Sequence, residues 1–277
     1  MTSTNQIARQ LILVLQEYIQ VLGFTPVIHF ELEGCYQFNT SHTGSHELNF
    51  SAINQTLKQL NINGELIAEY WSNQWEYVSN FDGQLPLQEA ENLTKAITCL
   101  PKILAQQGVK KTLIKPVVWA GDKGKLAPGC ANIFSGDSRA VHIPNAIQMN
   151  VSVNNNKSEN IISQSGFGEY LQQCFLTTSL PCSLLYLPEE EAFERFALKS
   201  TYGLAEELCS PYNISGGHQG SIALYKKLGK HNQAMGETAL LYDHQHRVMT
   251  TEQNWQASAR IEHRLGASSY LYNAYTN

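Results

Sequence analysis

Glu31 and Glu33 lie in the run FTPVIHFELEGCYQF, from Phe24 to Phe38. That run has the composition of a β-strand, in which residues i and i+2 project to the same side, so the two carboxylates stand together while Leu32 turns away. Two adjacent ionised acids repel, and a divalent cation between them relieves the cost. The competing reading is a solvated polar face on a half-buried strand. Two more acids follow in GELIAEYWSNQWEYV, where Glu69 and Glu76 flank the turn-like pair Ser72-Asn73. A hairpin there presents one acid from each arm to a shared centre. Near the other end, Arg260-Ile261-Glu262-His263-Arg264 in extended form sets an acid between two fixed cations on one face. That arrangement suits a metal-bound phosphate, against the plainer reading of a surface ion-pair row.

Several elements must position these groups. Helical spacing covers Asn5 to Leu22, with apolar Ile7, Leu11, Val14, Tyr18 and Leu22, then Ser51 to Leu60, Leu87 to Gln107 with Pro101 as a kink, and Gly168 to Leu176 or beyond. Strand patterns cover Val27 to Phe38, Glu65 to Trp71, Trp75 to Asn80, Thr112 to Val118, Gln148 to Val153, Ile214 to Tyr225, Ala239 to Tyr242 and Ala259 to Leu265. Strands outnumber helices and follow one another locally. The expected class is α+β, a curved antiparallel sheet backed by helices.

Composition bounds the function. The chain has 277 residues and is 43% hydrophobic, enough for one sizeable core. Its 19 basic and 24 acidic residues give a net charge of -5, which offers no footprint for nucleic acid or an anionic membrane. The apolar run Leu11 to Leu15 is too short for a signal core or a membrane span, so the expected location is the cytoplasm. Six cysteines without C-x-x-C spacing read as reduced thiols. The pairs His42/His46 and His244/His246 lack acid or cysteine partners at zinc spacing, and Ser215-Gly216-Gly217 lacks the lysine of a phosphate loop.

The order of these segments resembles the catalytic domain of glutamine synthetases. The resemblance is collinear from about Gln16 to Asn273. It rests on QEYIQVLGFTPVIHFELEGCYQF, AEYWSNQWEYV, the stretch Gln88 to Val117, AIQMNVSVNNNKSENIIS, FERF, SPYNISGGHQGSIALY and ARIEHRLGASSYLYNA. It implies a first metal site of Glu33, Glu69 and Glu76, and a second of Glu31, Glu262 and, in place of a histidine, Asn150. Arg195 and Arg264 then match arginines that hold the amino-acid substrate and the transferred phosphoryl group. Arg260 matches one facing ATP phosphates, Ser152 takes a phosphate-facing histidine's place, and Glu206 or Glu207 stands for the flap acid. The implied cofactors are ATP with Mg2+ or Mn2+, and the implied substrates are a small carboxylate and an amine.

The departures from that family carry equal weight. Its H-x-H reads Met149-Asn150-Val151-Ser152 here, and Gly220 and Tyr225 occupy two arginine positions. No counterpart of the family's β-grasp domain is recognised, and a segment at about 119–148 reads as an inserted loop or lobe in a single domain. The expectation is therefore a divergent ligase with a non-standard acid or amine. A homo-oligomer or a partner protein would complete its site. The alternatives are a catalytically degenerate homologue acting as a metal- or nucleotide-binding subunit or regulator, and a scaffold that binds a small molecule without metal.

Overall fold

A computed structural model describes residues 3–38, 47–69, 73–119, 142–193, 214–215, 222–226 and 255–277. Its centre is β1 (Phe24–Phe38), a strand of 15 residues that pairs with three others. On one side it meets β3 (Gln74–Ser79), which continues to β2 (Gly64–Ala68). Its N-terminal part pairs with β7 (Ile147–Asn155), and its last residues pair with β4 (Val109–Leu113). Beyond β7 lie β10 (Arg260–His263), β9 (Ile222–Tyr225) and the short β8 (Ile214–Ser215). The resulting eight-stranded sheet is antiparallel apart from β8 and β9, which run parallel.

The helices α1 (Ser3–Val21), α2 (Phe50–Gln59), α3 (Pro86–Gln106) and α4 (Phe167–Ser179) pack against this sheet, with short α5 (Ser183–Tyr186) and α6 (Trp255–Ser258) beside them. Alternation along β1 sends Phe30 and Leu32 into the main core with Trp75, Tyr77, Leu93 and Leu100. A second cluster sets Ile261 and Ile222 against Leu176 of α4. The helices thus cover the face carrying Phe30, Leu32 and Ile261, and the opposite face is left for polar residues.

Local chemistry explains the element ends. Asn49 caps α2 by accepting the N–H of Ala52, and Pro86 opens α3, where its missing N–H costs nothing. Pro101 sits inside α3 as expected. Two strands differ from their expected form. Thr112 to Val118 is split, β4 ending at Leu113 and β5 (Val117–Trp119) beginning after Pro116, a residue that cannot donate to a ladder. Ile214 to Tyr225 is likewise two strands, paired in parallel rather than continuous. At the base of the expected insertion, β5 pairs with β6 (His142–Pro144), and 147–148 already belong to β7; 120–141 and the expected strand 239–242 lie outside the described residues.

The face that α1 presents to the body is also not the one its spacing suggests. Ala8 and Ile12 pack on the main core and Gln16 is buried, whereas Ile7, Leu11, Val14, Tyr18 and Leu22 are all exposed. None of the described helices is long and apolar enough to cross a membrane. The described cysteines Cys35, Cys99, Cys174 and Cys182 are free thiols.

Candidate active site

Register decides which side chains can meet. In β1 and β3, Glu33 stands directly opposite Glu76. In β1 and β7, Glu31 pairs with Gln148 and His29 with Asn150; in β7 and β10, Asn150 pairs with Glu262. In β10 and β9, Arg260 pairs with Tyr225. Directly opposed residues share a face, and so do residues two apart on one strand. Glu31, Glu33, Glu76, Asn150, Ser152, Arg260 and Glu262 therefore occupy one continuous face, away from the helices. Glu69 lies just past β2, where its N–H donates to Gln74, which puts it one same-face step along from Glu76.

The acids are held differently along this face. Glu33 is oriented by the backbone N–H of Ala146, which donates to Oε2 at 2.7 Å, and by Gln148 Nε2, which donates to Oε1 at 3.4 Å. Its carbonyl accepts from Ser268 Oγ at 2.5 Å. Glu31 and Glu262 are almost wholly buried. Asn150 joins them to the arginines, because Nδ2 donates to Glu31 Oε1 at 3.0 Å while Oδ1 accepts from Arg260 Nε at 2.7 Å. Arg264 Nε lies 3.3 Å from Glu262 Oε1, and Arg260 Nη2 lies 3.8 Å from Glu262 Oε2. Tyr225 completes the group, its ring 4.6 Å under the Arg260 guanidinium and its hydroxyl donating to Glu262 Oε1 at 3.4 Å. Ser152 faces the same way but is engaged, donating to Ala259 O at 3.0 Å.

A residue that the motif reading passed over belongs here. His29 is fully buried on the same face, two residues before Glu31, in edge contact with Phe81 at 4.7 Å. Neither ring nitrogen has a hydrogen-bond partner among the described residues. Burial first, and then the charge of Arg260, holds the imidazole well below its ordinary pKa, which keeps it neutral. Extending the alternation of E-x-E one step upstream, to H-x-E-x-E, is the signal that finds it. Arg195, Glu206 and Glu207 lie outside the described residues.

No family model and no curated protein matches this sequence. Solved structures do. A glutamine synthase homolog superposes with a TM-score of 0.63 at 12% identity, covering 97% of this chain and 56% of its own. The fold is that of glutamine synthetase. The Plasmodium falciparum glutamine synthetase gives 0.57 at 13% identity, over 97% and 53% of the two chains. A GmaS/ADP complex gives 0.57 at 8% identity, over 97% and 55%. The chain thus spans little more than half the length of these proteins, and it has their fold.

The sequence resemblance implies divalent ions at two sets of these residues. At Glu33 and Glu76 the donor chemistry fits a hard ion such as Mg2+ or Mn2+: two carboxylates face each other across one rung, with Glu69 the next acid along. Among the described residues, no three His, Cys, Asp or Glu side chains, Glu33, Glu69 and Glu76 included, come together as a group that could hold a metal ion. The set Glu31, Asn150 and Glu262 does not fit as it stands, since the amide oxygen that would face an ion is bonded to a guanidinium.

Proposed function

We propose that this chain is the catalytic portion of a divergent glutamine synthetase-like, ATP-dependent carboxylate–amine ligase. The observation that carries the reading is the single sheet face on which acids and arginines expected from scattered segments fall into register. In this reading Glu33 and Glu76, with Glu69 drawn in beside them, would hold Mg2+ or Mn2+, which would supply charge neutralisation and orientation for the ATP phosphates. The acid's carboxylate attacks the γ-phosphorus, ADP leaves, and an acyl-phosphate results. An amine then attacks the acyl carbon, phosphate departs, and the amine's proton passes to a base, the role assigned to Glu206 or Glu207.

The chain's own described residues bind and orient in this scheme. Arg264, buried and steered by Glu262, offers a guanidinium to the reacting carboxylate or phosphate. Gln148 and the Ala146 N–H fix the Glu33 carboxylate before any ligand arrives. Replacement of cationic groups at Ser152, Gly220 and Tyr225 removes charge from the phosphoryl-transfer side, which favours an acid or amine other than glutamate and ammonia. Small carboxylates and amines as substrates, and a homo-oligomer or partner protein completing the site, belong to the same reading.

A second reading rests on one observation: Arg260, matched to an arginine facing ATP phosphates, is instead tied to Asn150 and stacked on Tyr225. That favours a metal- or nucleotide-binding subunit or regulator without turnover. ATP-dependent phosphate release across a panel of acids and amines, with Glu33→Ala as control, separates the two. Release that depends on a particular acid and amine supports the ligase. ATP binding without release with any pair supports the subunit.

A further inference from the structure

Four contacts fix a positive charge among buried acids. Arg260 Nε donates to Asn150 Oδ1 at 2.7 Å, and Nη2 approaches Glu262 Oε2 to 3.8 Å. The Tyr225 ring lies 4.6 Å from the same guanidinium, which anchors it from the β9 side. Asn150 passes the interaction on to Glu31 through Nδ2 at 3.0 Å. The guanidinium cannot be deprotonated under ordinary conditions, so its charge is permanent. A divalent ion on Asn150 Oδ1 would sit within a few ångströms of that charge in weakly screened surroundings, and it would compete for an oxygen already bonded at 2.7 Å.

We propose that Arg260 is the resident cation of the Glu31–Glu262 acids, and that these acids bind no divalent ion. The Arg260 guanidinium, positioned by Asn150, Glu262 and Tyr225 and joined at the other Glu262 oxygen by Arg264 Nε at 3.3 Å, does the neutralising that an exchangeable metal would otherwise do. Any exchangeable ion is then confined to the Glu33–Glu76 end of the face. The inference rests on the metal reading of this face and is independent of ligase turnover. It makes one end of the site insensitive to chelators and leaves only the other responsive to metal concentration.

The test counts ions rather than activity. Mn2+ binding is followed by the electron paramagnetic resonance of the free ion, for wild type, Glu31→Gln, Arg260→Met, Arg260→Lys and Arg260→Met/Glu262→Gln, each checked for folding by circular dichroism. Gln at 31 keeps the acceptor for Asn150 Nδ2 but is a poor metal ligand. Glu31→Gln should leave Mn2+ affinity within about twofold of wild type, whereas a lost ligand weakens it by about tenfold or more. Arg260→Met should gain one Mn2+ relative to wild type, Arg260→Lys should not, and adding Glu262→Gln should remove the gain. A tenfold weakening in Glu31→Gln, or a folded Arg260→Met with no additional ion, overturns the proposal. Should Arg260→Met fail to fold, the Glu31→Gln titration decides. A protein that releases no phosphate with any substrate but shows this pattern sinks the ligase reading and leaves the resident cation standing.

Discussion

Glu89 governs how firmly the site strand is held, and its protonation should make that hold depend on pH. It sits in the first turn of α3 with no solvent exposure and reaches β1 where β3 has left it. There Phe30, between His29 and Glu31, donates its N–H to Ser79 Oγ at 2.8 Å and Glu89 Oε1 at 3.2 Å. Gln84 Nε2 and Asn92 Nδ2 donate to Oε2 at 3.3 and 3.2 Å. Burial pushes the carboxyl up from 4.5 to about 8, although the hydrogen bonds from Ser79, Asn92 and Phe30 pull the other way. A folded pKa above the unfolded one means that the folded protein keeps the proton longer. The associated stability is complete below about pH 4.5 and is lost as pH rises through about 8.

At about 1.4 kcal/mol per pH unit, the gap between 4.5 and about 8 caps the effect near 5 kcal/mol. Roughly 3 kcal/mol of that falls between pH 6 and pH 9, which lowers the melting temperature by roughly 6–12 °C for a domain of this size. Glu89→Gln cannot ionise. Its amide faces the Gln84 and Asn92 donors, so it should cost about 1–2 kcal/mol at pH 6, yet that deficit should vanish or reverse by pH 9. Urea unfolding of both proteins from pH 6 to 9 measures the difference. A wild type equally stable at both ends, or a variant with the same pH slope as wild type, would refute the reasoning.

On the acid side the sign reverses at His263, which burial lowers to about 3 while it contacts Ser179 Oγ at 3.1 Å and the Tyr186 ring at 4.2 Å. Folded, the ring stays neutral down to about pH 3, so the stability is full above pH 6.5 and falls by about 2–3 kcal/mol by pH 4.5; His263→Phe should flatten that limb in thermal melts, and an unchanged slope would count against it. Gly34 lies opposite Trp75, and a Cβ there would overlap the indole's six-membered ring, so Gly34→Ala should cost about 1–3 kcal/mol in urea unfolding. Arg264→Ala should abolish acid- and amine-dependent phosphate release, a residual rate above one part in a hundred being too high for a bidentate anchor. Glu33→Ala should remove Mn2+ binding at the Glu33–Glu76 pair by calorimetry, and a retained isotherm would discard that pair as the ion's seat.

The acids of this face were legible because period-two alternation survives in the chain: E-L-E and R-I-E-H-R declare a shared side before any partner strand is known. What was not legible depends on register between strands far apart in sequence. Asn150 reads as a weakened ligand in isolation, and only its pairing with His29 and Glu262 reveals it as a bridge to Arg260. Tyr225 reads as a lost positive charge, yet across one rung it becomes the platform for a retained one. Glu89 looks like an ordinary acid favouring a helix start, and nothing local announces that it turns inward. The α1 pattern misled for a related reason. Spacing defines an apolar stripe, but the side that packs, Ala8, Ile12 and Gln16, is set by the sheet beneath it.

The two faces of β1 are coupled through that same register. Sliding β1 by one residue against β7 would send Glu31 and Glu33 into the core and Phe30 and Leu32 out, so whatever pins the strand also aims the acids. The pins lie on both faces and at both edges. Trp75 can cover Gly34 only in this register, Ser79 and Glu89 receive the Phe30 N–H, and the Ala146 N–H and Ser268 hydroxyl fasten Glu33. None of Trp75, Ser79, Glu89 and Ser268 offers a ligand group to the face, and Glu89 contacts the strand from its core edge. Substitutions at these positions should therefore weaken metal binding and stability together, whereas Glu33→Gln or Glu76→Gln should weaken metal binding with little loss of fold. That separation follows from a site built by alternation on a sheet whose other side is the hydrophobic core.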